Sequence, residues 1–130
     1  MKKLLFLPFL TLILYGCSPS SLEDFQREGE ALSRTVIEHL ESIESHEELL
    51  RAEPTLKKDF EAYVDLIKQA REYQAMHSDE VVSDASIDFS VSDELKQQLR
   101  RIYAIEGGRE IIERAQQEAL VRLDAYTQMH

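Results

Sequence analysis

The residue types that carry chemistry are few in this chain, and their spacing does not assemble a reactive centre. His39 and His46 lie seven residues apart, so they share a face on a continuous helix. Two helical turns separate them by roughly 10 Å, too far for one metal ion. No His-Glu-x-x-His arrangement occurs, and the only cysteine, Cys17, stands far from the histidines in sequence. The ligand sets that zinc requires are therefore not met, and the expectation is no metal and no cofactor. Ser33, Ser42 and Ser45 lie near these histidines, but no Gly-x-Ser-x-Gly elbow presents a nucleophile. With 25 Asp and Glu residues, any chosen carboxylate pair is uninformative, because acid–base work needs a cleft that shifts pKa values. Arg100, Arg101, Arg109 and Arg114 form the one basic concentration, interleaved with Glu94, Glu106, Glu110, Glu113 and Glu118. That pattern predicts pairing along a helix. Gly107-Gly108 lacks the preceding strand and the following Lys-Ser/Thr of a phosphate loop. The inventory predicts a protein that is not an enzyme.

Cys17 has a different chemistry. Lys2 and Lys3 precede an almost wholly apolar run, Leu4 to Leu14, and the small residue Gly16 stands before Cys17. This is the three-part layout of a secretory signal. The run is much shorter than the ~20 residues needed to span hydrocarbon, and Pro8 interrupts it. Leu14-Tyr15-Gly16-Cys17 resembles the lipobox of bacterial lipoproteins, with Leu14, Gly16 and Cys17 matching and Tyr15 larger than the family's usual residue. The resemblance implies cleavage between Gly16 and Cys17, diacylglycerol on the Cys17 sulfur, and usually an acyl group on the new amino terminus. A lone exported thiol without a disulfide partner is consistent with that use. Two or more acyl chains, at about 0.8 kcal/mol per buried methylene, hold a protein on a membrane without a spanning helix. By analogy with Gram-negative lipoproteins, Ser18 implies the outer membrane, facing the periplasm. The division that follows is a signal at 1–16, a lipidated tether at 17–21 and one domain at 22–130.

The charge narrows the partners. The chain carries a formal net charge of -10, and residues 1–16 contain only Lys2 and Lys3 as charged groups, so their loss takes it to -12. Nucleic acid and anionic headgroups both reward clustered Lys and Arg, so neither is expected as a ligand. A basic protein partner remains compatible.

The elements that must position these residues read as helices. Ser20 and Glu23 have capping-box spacing. Leu22, Phe25, Gly29, Leu32, Val36, Leu40 and Ile43 then recur at three- and four-residue steps, an amphipathic helix. Ser45 and Glu48 offer a second capping box, and Pro54 predicts a kink or a short separate turn over 46–53. A helix from Pro54 to His77 carries Leu56, Phe60, Tyr63, Val64, Ile67 and Ala70 on one face. The segment 78–92 is rich in Ser and Asp and lacks Lys and Arg. Within it Ile87, Phe89 and Val91 alternate with polar residues, which predicts an extended acidic linker or a strand that adds to a partner's sheet. A third helix starts near Ser92 or Asp93 with Leu95, Leu99, Ile102 and Tyr103, and a fourth carries Ile112, Ala115, Ala119, Leu123 and Tyr126. The two apolar stripes would point roughly 110° apart on one straight rod, so Gly107-Gly108 predicts a kink or turn between them.

These elements predict an all-α fold, an irregular antiparallel bundle of three to four helices. In size, anchor and helical content such a protein looks like the all-helical pilotins that escort secretins, a similarity of architecture without a shared motif. The function expected is a lipid-anchored module that binds an envelope protein through an apolar groove, with Phe60 and Tyr103 half-exposed beside each other. The alternative is an acidic inhibitor or ligand module for a basic envelope protein.

Overall fold

A computed structural model of the chain describes residues 19–81 and 89–129. Cys17, Gly16 and the signal segment lie outside the described residues, as does Ile87. Four helices follow one another: α1 (Leu22–Glu41), α2 (His46–Met76), α3 (Phe89–Tyr103) and α4 (Gly108–Met129). Among the described residues there is no strand, and no helix is long and apolar enough to cross a membrane.

α1 is capped by Ser21, one residue later than the capping box predicted. Ser21 is extended (φ -153°, ψ 164°), and its Oγ accepts from the Asp24 amide at 3.1 Å. Ser20 instead donates its amide (3.0 Å) and hydroxyl (2.8 Å) to the Asp24 carboxylate. These hydrogen bonds, the Ser20 amide first, hold the Asp24 carboxyl below the usual carboxylate range. Asp24 thus takes the Ser20 amide that the predicted box assigned to Glu23, while Ser21 caps the Asp24 amide.

α2 corrects the expected break at Pro54. Ser45 caps the helix as expected, its Oγ accepting from the Glu48 amide at 3.2 Å. The helix then continues through Pro54 for 31 residues, about 46 Å. Proline removes one amide donor and crowds the carbonyl four residues earlier, that of Leu50. Both residues are exposed, so water can serve that carbonyl. Leu49 and Leu56, wholly buried on either side, hold the two parts in line.

α3 corrects the reading of 78–92 over 89–92; residues 82–88 of that segment lie outside the described residues. The helix begins at Phe89, so Phe89 and Val91 are helical. Two helical steps turn these side chains about 200° apart: Phe89 is 66% exposed, and Val91 only 3%. Val91 extends the stripe of Leu95, Leu99 and Ile102 back by one turn. Three alternating residues are too few to separate a period of 2 from one end of a period of 3.6.

Consecutive helices alternate in direction, but not every packed pair is antiparallel. α1 and α2 run antiparallel, matched at Phe25–Tyr73, Ser33–Tyr63 and His39–Asp59. α2 and α4 form the most extensive interface and run parallel, with Glu53 paired to Arg114 and Lys57 to Glu118 at the same offset. α1 and α3 also pack closely and run parallel, whereas α3 and α4 touch much less. This is the irregularity of the bundle: the helices are ordered α3–α1–α2–α4 in space. The core of Val36, Leu40, Ile43, Leu49, Leu56, Ile102, Ile111, Ile112 and Ala115 lies toward the end that carries the α1–α2 and α3–α4 turns. Ile43 belongs to it although it sits beyond the end of α1.

Two polar contacts lock that end. Arg101 donates from its guanidinium to the carbonyls of Ile43 (2.6 Å) and Leu40 at the end of α1, where the Leu40 carbonyl also accepts the Ile43 amide at 3.1 Å. His46 donates from Nδ1 to the Glu106 carbonyl at 2.6 Å, tying the start of α2 to the α3–α4 turn.

The opposite end is held by a smaller cluster. Phe25 packs against Tyr73 (ring centroids 5.5 Å apart), and Tyr73 stacks on His77 at 4.1 Å. Glu80 accepts the Leu22 amide at 3.0 Å, and the Tyr73 hydroxyl is shared between Glu80 (2.5 Å) and the Ser20 carbonyl (3.0 Å). The Tyr73 hydroxyl, then the Leu22 amide, hold the Glu80 carboxyl below its ordinary range. A carboxylate with a depressed folded pKa contributes stability that is present above its unfolded value and lost as pH falls through the folded one. Amide-exchange protection at Leu22 should therefore fall as the pH drops below about 4, with Glu80→Gln abolishing that pH dependence. Protection at Leu22 that stays flat with pH in the wild type would remove Glu80 as the clamp.

Candidate functional site

α4 has two faces of opposite character. Ile111, Ile112, Ala115 and Ala119 are buried against α2 and the common core. On the other side Glu113, Gln117, Leu120, Val121 and Asp124 recur at three- and four-residue steps, one stripe down the helix. Leu120 is 52% exposed and Val121 61%. A shallow groove of about 510 Å³ runs along this stripe, bounded by Glu110 and Arg114.

The charges around the groove are not equivalent. Arg114 reaches across to Glu53 on α2, and this pairing holds the Glu53 carboxyl below its usual range. Glu118 is likewise paired with Lys57, whose ammonium first, as donor and then as charge, lowers the carboxyl. Arg114 is thus engaged with α2 and Lys57 of α2 with Glu118, and Arg122, next to Val121, also acts on the Glu118 carboxyl. The carboxylates that line the groove together with the apolar pair are Glu110, Glu113 and Asp124. An apolar strip flanked by carboxylates can receive a segment that combines apolar and basic side chains.

A second groove, about 350 Å³, lies between α1, α2 and the start of α3. Gly29, Ser33, Tyr63, Val91 and Leu95 line it. Its floor is closed by the Ser33–Tyr63 contact at 2.5 Å, with Ser33 Oγ donating to the Gly29 carbonyl at 2.9 Å. Tyr63 therefore donates to Ser33, and burial pushes the phenol's pKa up.

Phe60 and Tyr103 are both half-buried and pack against the same core. The Arg109 guanidinium lies 4.6 Å over the Tyr103 ring and covers one of its faces. Val91 is in the wall of the second groove, whereas Phe89 points outward at the start of α3. Leu120 and Val121 both fall outside the predicted stripe of Ile112, Ala115, Ala119, Leu123 and Tyr126. The available signal was a pair of adjacent apolar residues falling outside the positions that face the core.

The chemistry-bearing residues are placed as fold contacts. His39 Nδ1 meets Asp59 Oδ2 at 2.6 Å, joining α1 to α2 around the one buried charged side chain among the described residues. The hydroxyls near it in sequence are engaged locally: Ser33 with Tyr63 and Gly29, Thr35 with the Ala31 carbonyl, and Ser42 with the His39 carbonyl. Among the described residues no three His, Cys, Asp or Glu side chains converge as a metal site would require. Comparison with protein-family models, with curated proteins and with solved structures finds no match to the chain.

Proposed function

We propose that the chain is a lipid-anchored envelope protein whose α4 face binds a basic amphipathic segment of another envelope protein, holding or guiding it at the membrane. The anchor in this reading is the Cys17 sulfur, from the resemblance of Leu14-Tyr15-Gly16-Cys17 to a lipobox. The single observation that carries the binding role is the exposure of Leu120 and Val121 between Glu110, Glu113 and Asp124. Apolar contact supplies affinity there, while the carboxylates select a cationic partner and speed its encounter. The net charge of -10 extends that selection over the whole surface.

The test is a crosslinking pull-down from intact envelopes, using a C-terminally tagged chain as wild type, as Cys17→Ser and as Leu120→Ser/Val121→Ser. The expected result is one dominant envelope protein, bearing a basic amphipathic stretch, that the wild type captures and both variants lose. Capture by the Leu120→Ser/Val121→Ser chain at wild-type yield would remove α4 as the binding face. Capture by Cys17→Ser at wild-type yield, sensitive to added salt, would favour an acidic inhibitor module acting away from the membrane. That second reading draws on the same three carboxylates.

A further inference from the structure

Four large apolar side chains are exposed at one end of the bundle, and the chain's amino-terminal lead arrives at the same end. Met76 closes α2 and Val81 follows it; Phe89 opens α3, and Met129 closes α4. All four are exposed. Their common location follows from helix direction. α1 and α3 start at this end, and α2 and α4 finish there, as the Phe25–Tyr73 and Arg71–Thr127 contacts register. Of the other exposed large apolar residues, Leu50 lies toward the opposite end, and Leu120 and Val121 lie on the flank of α4.

The lead is held at this end. Ser20 is bound through its carbonyl to the Tyr73 hydroxyl, and the next residue but one, Leu22, through its amide to Glu80. Only three peptide units separate Cys17 from Ser20, a maximal reach of about 11 Å. A lipid on Cys17 therefore brings the bilayer surface to within that distance of the Tyr73–Glu80 cluster. Among the described residues, the exposed large apolar side chains nearest that surface are these four.

We infer that this end of the bundle is seated in the membrane interface, with Met76, Val81, Phe89 and Met129 at the boundary between headgroups and acyl chains. The inference rests on the proposed lipid at Cys17. The occupant is a zwitterionic bilayer surface. Charged groups around this end are mostly acidic, with Glu23, Asp24, Glu72, Asp79 and Glu80 against Arg27 and Arg71, so among the described residues no basic cluster recruits anionic lipid. Amphipathic elements at an interface sink their apolar side chains roughly 5–10 Å, a depth that these short projections can reach while the helices stay in water. The seating has a consequence for α4. Leu120 and Val121, two to three turns back from Met129, are then held just above the membrane and face sideways, toward a neighbour in the same envelope.

The chain contains no tryptophan, so single indoles can serve as reporters. Met76→Trp, Met129→Trp and, as the control, Leu50→Trp are made in the full chain at exposed positions. Each acylated protein is reconstituted in phosphatidylcholine vesicles with brominated acyl chains. The control position lies 26 residues from Met76 along α2, about 39 Å. Expected are a blue shift and strong quenching of the indoles at positions 76 and 129, and neither at position 50. The mass of the Cys17 peptide and flotation with the vesicles report the anchor separately. An acylated, floating protein with positions 76 and 129 as unquenched as position 50 overturns the seating and leaves the anchor standing. Quenching at all three positions means a bundle lying on its side, and also overturns it. Blue-shifted but unquenched indoles at 76 and 129 assign that end to a second copy of the chain and overturn it as well. A Cys17 peptide without lipid overturns the anchor and the seating together.

Discussion

Gly108→Ala is expected to destabilise the domain by about 3 kcal/mol or more, a large share of the 5–15 kcal/mol typical of folded domains. A Cβ at Gly108 would stand 2.0 Å from the Ile102 carbonyl oxygen and 2.9 Å from its carbon. Both are backbone atoms, so no side-chain rotation relieves the clash. Ile102 is itself wholly buried, and the turn that follows is closed by Ile105 N–H to Ile102 O (3.0 Å) and Gly108 N–H to Ile105 O (2.9 Å). Making room means opening that turn and shifting α4 against the core. The gain in helix propensity from glycine to alanine, about 1 kcal/mol, does not offset this. Gly107 is needed for another reason: its φ of +70° is left-handed, and the His46 ring lies 3.0 Å from where a Cβ would be. Asparagine tolerates that conformation better than other non-glycine residues, and a side-chain ring is a softer neighbour than backbone. Urea unfolding should therefore rank Gly108→Ala as more destabilising than Gly107→Asn. A Gly108→Ala midpoint within experimental error of wild type would mean that the α3–α4 turn is not as tight as described.

Leu40→Ala should cost about 2–5 kcal/mol and lower the melting temperature by on the order of 10–20 °C. Leu40 is wholly buried among Val36, Ile43, Leu49, Leu56 and Ile102. Its loss removes the transfer energy of the deleted atoms and leaves a cavity that neighbours from different helices cannot all close. The Leu40 carbonyl receives the Arg101 guanidinium, which pins the local backbone and limits collapse into the gap. Leu120→Ala removes the same atoms from a half-exposed position and is expected to change stability by no more than about 0.5 kcal/mol. The contrast between these two variants, read by thermal unfolding, tests the assignment of inward and outward surfaces. Equal losses would contradict it.

Features that residues close in sequence specify are legible in the sequence, and those set by distant contacts are not. The stripe through Phe25, Val36 and Leu40 in α1, the Ser45 cap of α2 and the break at Gly107-Gly108 were all legible. Each is specified by residues within a few positions of one another. The misreadings came where a local rule was outweighed. Pro54 does break a hydrogen bond, but the burial of Leu49 and Leu56 on either side holds α2 continuous. The alternation at Ile87, Phe89 and Val91 was overruled at Val91 by packing against α1. The cap expected at Ser20 falls one residue later, at Ser21, because the Ser20 carbonyl is taken by the Tyr73 hydroxyl while the Ser21 carbonyl accepts the first helical amide, that of Phe25.

The all-α class, the approximate helices and the acidic surface were determined by the amino-acid sequence itself. Helical periodicity and capping are short-range, and net charge needs no fold. The choice of neighbours was decided only in three dimensions: α4 lies parallel on α2, and Arg101 closes the end of α1. So was the outward turn of Leu120 and Val121, and the collection of Met76, Val81, Phe89 and Met129 at one end. Hydrophobic burial is non-directional. An apolar stripe therefore says that a helix must be covered, and only packing says by which partner and which apolar residues are left over.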